Sequence, residues 1–196
     1  EGGNAVADVL FGDYNPAGRL PVTYYKSIDQ IPAFEDYNMN GRTYRFFTSE
    51  PLYPFGYGLS YTSFAYSGLS IPQKANVGEK VKVSVKVTNT GPRDGEEVVQ
   101  LYLADVKATT PRPVRQLEGF ERIFLKKGES RIVEFILEPR QFSIINNKDK
   151  RVIEPGYFTI SVGGKQPGFS GYLDPQCTGV LTGRIRLAGK EEKFDN

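Results

Sequence analysis

Histidine and tryptophan do not occur in this 196-residue sequence, and cysteine and methionine occur once each. The missing histidine removes the usual neutral-pH general base, the Ser-His-Asp arrangement and every histidine-containing metal site. The missing tryptophan removes the indole face that most often stacks on sugar rings, leaving 12 tyrosines and 13 phenylalanines as flat side chains. A lone Cys177 cannot form an internal disulfide and reads as a buried or idle thiol. No apolar run approaches the roughly 20 residues that span a bilayer, and the first residues lack the charged-then-apolar order of a secretory signal. Neither charge is in excess: 25 Lys and Arg stand against 23 Asp and Glu, a net +2, with the basic residues scattered among carboxylates. Neither nucleic acid nor a membrane is therefore an expected partner.

What is present is globular material, 39% hydrophobic, enough for one large or two small domains. Asn4 to Phe11 place Ala5, Val6, Val9 and Leu10 on one side of a helical projection, predicting a short amphipathic helix that ends at Gly12 in a left-handed conformation. Asn15-Pro16-Ala17-Gly18 makes a turn, and Leu20 to Tyr25 reads as a strand. One helix and one strand enclose no core, so these apolar positions expect a surface that the sequence does not supply. Lys26 to Glu50 is polar and irregular, an extended connector around the loop Asp36 to Gly41.

From Tyr61 short alternating strands take over. Val81, Val83, Val85 and Val87 face one way and Lys80, Lys82, Ser84 and Lys86 the other, the mark of a half-buried strand. The turn Arg93-Asp-Gly95 leads into a strand whose Val99, Leu101 and Leu103 share a face. Leu117 to Leu125, with Phe120 and Phe124, continues the pattern, and Val133, Phe135 and Leu137 point together beyond a turn at Lys127-Gly128. Tyr157 to Val162 and Thr182 to Leu187 complete the set. The fold class is mainly β: an immunoglobulin or fibronectin type III-like β-sandwich over residues 61–196, able to fold alone. Two loops, 108–114 and 163–177, interrupt it and carry either function or interdomain contact.

Chemistry is sparse. Retaining glycoside hydrolysis needs two carboxyl groups about 5–5.5 Å apart, but Glu96 and Glu97 are adjacent on a strand and point to opposite faces. Arg42, Tyr44, Arg45, Phe46 and Phe47 combine guanidinium and aromatic groups, a mixture that suits sugars and suits buried interdomain contacts better. Gly56-Tyr-Gly58 lacks the further glycine, the lysine and the following helix of a phosphate loop. Its glycines instead let the chain turn between Phe55, Tyr57 and Tyr61 as it enters the first sandwich strand. Tyr66, Tyr102 and Tyr157 could line a sugar-binding face, although packing is the commoner use of strand tyrosines. No catalytic residue, cofactor or metal ligand is assigned.

Several motifs are shared with a known family. Arg42-Thr-Tyr-Arg-Phe-Phe47, Pro51-Leu-Tyr-Pro-Phe-Gly-Tyr-Gly-Leu-Ser-Tyr61, Asp8-Val-Leu-Phe-Gly-Asp-Tyr-Asn-Pro-Ala-Gly-Arg-Leu-Pro21 and Gly95-Glu-Glu-Val-Val-Gln-Leu-Tyr-Leu103 together resemble the C-terminal part of a family three glycoside hydrolase. The resemblance implies the tail of a larger β-glucosidase or β-xylosidase, periplasmic or secreted, with Arg42 to Phe47 leaning toward the xylosidase branch. It further implies that residues 1–25 end an α/β sandwich domain, that 26–60 are an interdomain linker, and that Arg42, Tyr44, Arg45, Phe46, Phe55, Tyr57 and Tyr61 anchor the domains to one another. In that family the nucleophilic aspartate belongs to an N-terminal (β/α)8 barrel and the acid/base residue to the α/β domain, and neither motif is present here. The implied partners are those two domains, and the parent's substrate is a β-linked oligosaccharide. A stand-alone binding module for carbohydrate or protein is the alternative, and a homodimer through a sandwich face is compatible with the sequence.

Overall fold

Valine at every second position from Val81 to Val87 makes one strand face that excludes water, and in the computed structural model all four side chains are buried. The structure describes residues 1–169 and 176–193. In chain order the strands are β1 (Phe64–Ser70), β2 (Lys74–Asn76), β3 (Val81–Asn89), β4 (Gly95–Asp105), β5 (Gln116–Leu125), β6 (Ser130–Leu137), β7 (Ile144–Ile145), β8 (Arg151–Ile153), β9 (Gly156–Gly163), β10 (Val180–Ala188) and β11 (Glu192–Lys193). One sheet has the order β1-β3-β6, a second the order β2-β10-β9-β4-β5, and a small third the order β11-β8-β7. The β2–β10 pairing is parallel; the other pairings of these strands are antiparallel.

Inner faces of the first two sheets meet in one core, with Val83 and Val133 from the first opposed by Leu101, Ile123, Ile160 and Ile185 from the second. The mainly β, sandwich reading therefore holds. Several strands run one or two residues beyond their expected ends, as β9 and β10 do at both ends, because backbone pairing continues after the apolar alternation stops, whereas β3 begins at Val81 and leaves Lys80 outside. Phe120 and Phe124 are a correction: they are 68% and 48% exposed, while Ile123 and Leu125 fill the core. Register explains it, since Phe120 and Phe124 lie opposite Gln100 and Glu96 on the outer face of the sheet.

Before the sandwich lie helix α1 (Gly2–Phe11), a 3-10 turn at Ile28–Gln30 and a single helical turn, α2 (Thr43–Phe46). Gly12 closes α1 at φ 85°, in the expected left-handed conformation. No residue of α1 is buried. The strand expected over Leu20 to Tyr25 does not form. That segment runs alongside residues 52–57 through a few bonds, Leu20 N–H to the Tyr57 carbonyl, Gly56 N–H to Leu20 and Tyr24 N–H to Tyr53, each 2.8 Å. Pro21 and Pro54 have no N–H to donate, so a regular ladder cannot assemble there. Of the 163–177 loop, residues 170–175 lie outside the described residues.

Candidate functional site

The period-two alternation of β4 puts Glu97 on the same face as Val99, Leu101 and Leu103, and its side chain is fully buried. A buried carboxylate demands a cation and hydrogen bonds, and both are present. Arg19 Nη2 donates to Glu97 Oε1 at 2.5 Å, with the two side chains 7% and 0% exposed. Val98 N–H donates to the same oxygen and the Thr178 hydroxyl to Oε2, each at 2.8 Å. Burial pushes the Glu97 carboxyl above its usual range, opposed by the charge of Arg19 and the bond from Thr178. The nearby Tyr66 hydroxyl is pushed well up by its own burial and by the Glu97 charge.

Gln100 occupies the neighbouring joint. Its Nε2 donates to the carbonyls of Gly56 and Gly164, both at 3.1 Å, and its Oε1 accepts the Tyr102 hydroxyl at 2.6 Å. The Gly164 carbonyl also accepts from Arg19 Nε at 3.2 Å, which links the two joints. Gly56 sits at φ 75°, and a Cβ there would fall 2.2 Å from Gln100 Oε1, so both conformation and space require glycine.

Aromatic contacts extend the same surface. Tyr44 stacks on Phe55 at 4.1 Å and 15°, and meets the buried Tyr102 edge-on at 6.2 Å. Its hydroxyl accepts the Leu117 N–H at 3.1 Å. Tyr57 is buried against Tyr53 at 5.0 Å. Tyr61 reaches the end of α1, where its hydroxyl donates to the Val9 carbonyl at 2.7 Å and Arg93 donates to the Gly12 carbonyl at 2.9 Å. The tyrosine adds a second donor to a carbonyl that already accepts the Gly12 N–H, and the arginine complements the negative end of the helix dipole. Asn15 Oδ1 accepts from the Tyr61 N–H at 2.8 Å and the Ser60 hydroxyl at 3.0 Å.

Of the expected anchors, Tyr44 meets the sandwich at Tyr102 and Leu117 and Tyr61 meets it at Arg93, while Phe55 stacks on Tyr44 and Tyr57 packs on Tyr53 within residues 1–61; the two arginines are separated. Arg42 turns back on its own loop, donating to the carbonyls of Asn38 at 3.1 Å and Ala33 at 3.2 Å, and to Asp36. The hydrogen bond of Arg45 to the sandwich side comes from its backbone, its carbonyl accepting the Val114 N–H at 2.7 Å. Phe46 is half-buried, whereas Phe47, its neighbour, is buried with an edge-on contact to Tyr25 at 5.0 Å. Glu96 lies on the outer face and pairs with Arg122. Of the three strand tyrosines weighed for sugar, Tyr102 is closed to solvent and the Tyr66 hydroxyl is buried, while Tyr157 is 52% exposed. Cys177 is half-buried, with its thiol pushed up chiefly by burial.

Sequence reasoning missed Arg19, Asn15, Gln100 and Glu97 as members of the joint. The parity of Glu97 with three core residues was the available signal. The arrangement is suited to holding two segments together: both Glu97 oxygens are occupied and enclosed, so that carboxylate has no access to a substrate. Large apolar side chains remain open to solvent in the N-terminal segment, among them Leu10 (71%), Phe11 (85%), Ile28 (80%), Phe34 (91%) and Tyr37 (88%).

Comparison with known proteins follows the same division. Residues 1–61 match the Glycosyl hydrolase family 3 C-terminal domain, and residues 97–166 match the Fibronectin type III-like domain. The chain is 48% identical over 177 residues to the Periplasmic beta-glucosidase of Salmonella typhimurium, with 83% of this chain and 23% of the relative covered. It is 44% identical over 167 residues to a Beta-xylosidase of Formosa agariphila, covering 82% of this chain and 23% of that one. Among solved structures, the beta-glucosidase from Listeria innocua superposes with a TM-score of 0.80 at 32% identity, over 97% of this chain and 26% of the other. The chain therefore spans about a quarter of the length of these relatives.

Proposed function

Because the chain belongs to glycosyl hydrolase family 3, we propose that it is the non-catalytic C-terminal portion of a β-glycosidase acting on β-linked glucosides or xylosides. Its work is to stabilise and position the catalytic domains of the same enzyme. Residues 1–25 complete an α/β domain, 26–60 form the connection, and 61–196 form the sandwich that braces both. Tyr44, Phe55, Tyr57 and Tyr61 act as anchors between these parts, reinforced by Arg19 and Gln100. A periplasmic or secreted location accords with the name of the Salmonella relative.

The observation that carries this reading is the contrast within residues 1–61. The Arg19 guanidinium and the Gly56 carbonyl are tied to the sandwich, while Leu10, Phe11, Ile28, Phe34 and Tyr37 face water. Large apolar side chains this exposed, with Ile28, Phe34 and Tyr37 lining one shared hollow, mark a surface made to be covered, and burying each such side chain contributes about 1.5–3 kcal/mol. The test is an assay of the purified chain on aryl β-glucosides and β-xylosides. No turnover is expected; hydrolysis by the pure chain would overturn the reading. A chimera in which this chain replaces the corresponding quarter of a family relative should retain that relative's activity.

A further inference from the structure

Four arginines, Arg45, Arg112, Arg140 and Arg151, line one cleft of about 620 Å3 between the 108–114 loop and the segment leading into β7. Two of them are structural. Arg112 pairs with Asp105, lies 5.8 Å from the centre of the Phe158 ring, and donates to the carbonyls of Phe142 at 3.4 Å and Ser143 at 3.3 Å. Arg151 donates to the Ser143 hydroxyl at 3.0 Å. The other two are not: the guanidinium groups of Arg45 and Arg140 make no hydrogen bond or ion pair with the described residues, and both residues are exposed.

The two carboxylates on the cleft wall do not supply the missing partners. Glu138 pairs with Lys80 at 2.9 Å. Glu118 accepts from Gln116 Nε2 at 2.7 Å and Gln141 Nε2 at 2.8 Å. Positive charge is left over, in a cleft whose walls are fastened. The Val114 N–H bonds the Arg45 carbonyl at 2.7 Å and the Thr110 hydroxyl bonds the Ile145 carbonyl at 3.4 Å, on a loop stiffened by Pro111 and Pro113.

We propose that this cleft binds the carboxylate of a uronate-bearing saccharide. Planar guanidinium groups match a carboxylate in a two-bond fork, which an ammonium cannot do. A cleft of about 620 Å3 falls in the size range of small-molecule sites, and Thr110, Gln116 and Gln141 add hydroxyl and amide groups suited to sugar hydroxyls. The choice of a saccharide as the carboxylate's carrier rests on the glycosidase reading above; the charge of the cleft does not.

The experiment is calorimetric titration of the 196-residue chain with a xylo-oligosaccharide bearing one glucuronate, its neutral counterpart of equal length, and hexaglutamate. The charged saccharide should bind about tenfold more tightly than the neutral one, and added salt should weaken it. Arg45→Gln and Arg140→Gln should each reduce that preference several-fold without moving the melting temperature. Equal affinity for the two saccharides, binding of neither, indifference to both substitutions, or tighter binding of hexaglutamate would overturn the proposal. Catalysis by the chain alone would defeat the non-catalytic reading and leave this preference for charge untouched, so the two failures are separable.

Discussion

The guanidinium of Arg19 reaches across 78 residues of sequence to the fully buried carboxylate of Glu97, closing at 2.5 Å. Breaking one side of such a pair strands a charge, at a cost of about 3–5 kcal/mol. Arg19→Met should therefore destabilise the chain strongly in urea unfolding. The double variant Arg19→Met/Glu97→Gln should recover most of the loss, because no charge is then left buried. A double variant as unstable as the single one would show that the pair's value lies in packing rather than charge.

Acidity should report on the same pair. Burial raises the folded-state pKa of Glu97 above its reference of 4.5, so the folded chain takes up this proton at a higher pH than the unfolded chain. Its contribution to stability is fully present below about 4.5 and is lost as pH rises through the folded value. Relative to Glu97→Gln, the unsubstituted chain should gain stability as pH falls toward that value. In the Arg19→Met background the gain should begin at higher pH, since the attraction that lowers the pKa is gone. Urea unfolding across a pH series measures both curves; a loss of relative stability on acidification would mean that Arg19 outweighs burial.

Tyr44 and Arg45 are adjacent in sequence and should behave differently. Tyr44→Ala removes the stack on Phe55, the edge contact with Tyr102 and the acceptor for the Leu117 N–H. About 2–3 kcal/mol should be lost, and Tyr44→Phe should cost about 1 kcal/mol through the unpaired N–H. Arg45→Ala should change stability by less than about 0.5 kcal/mol, because its link to the sandwich is a backbone bond. Thermal melting of the three variants distinguishes side-chain from main-chain anchoring.

Gly56→Ala should destabilise by at least about 2 kcal/mol, from the left-handed backbone and the encounter with Gln100. Adding Gln100→Ala should relieve the encounter with Gln100 and leave the approach to the Tyr102 hydroxyl, at 2.8 Å, together with the backbone part. Gly56→Ala should cost less in the Gln100→Ala background than in the unsubstituted chain, and the difference between the two melting shifts measures the Gln100 contact; equal shifts would place the whole cost elsewhere.

A chain shortened to residues 61–196 keeps its apolar core but loses Arg19 and the Gly56 carbonyl, so Glu97 and Gln100 lose partners. It should melt below the intact chain, and Glu97→Gln should restore part of the difference. Equal melting of the shortened and intact chains would show that the N-terminal segment contributes nothing to the sandwich.

The sandwich was readable because valine and lysine alternate over β3 with the period of a pleated strand, and Gly128 and the Arg93-Asp-Gly95 turn mark its corners. The face carrying Phe120 and Phe124 was misread because alternation identifies two faces without saying which is inside; only the pairing of β5 with β4 decides that. The short Leu20 to Tyr25 strand was misread because apolar content outweighed the missing N–H groups of two prolines. The joint was half legible. Aromatic residues around Tyr44 and Tyr57 signalled a contact, but a hydrogen bond between positions as distant as Gly56 and Gln100 leaves no local pattern. Glu97 was the exception, a charged residue in phase with an apolar face.

The Arg19–Glu97 pair also bears on where this polypeptide is best cut and rejoined. A recombinant that imports the sandwich at its first strand would bring a carboxylate evolved for a guanidinium encoded some forty codons upstream. A crossover before Asn15 carries both members of the pair together, so the exchangeable cassette is longer than the sandwich it contains.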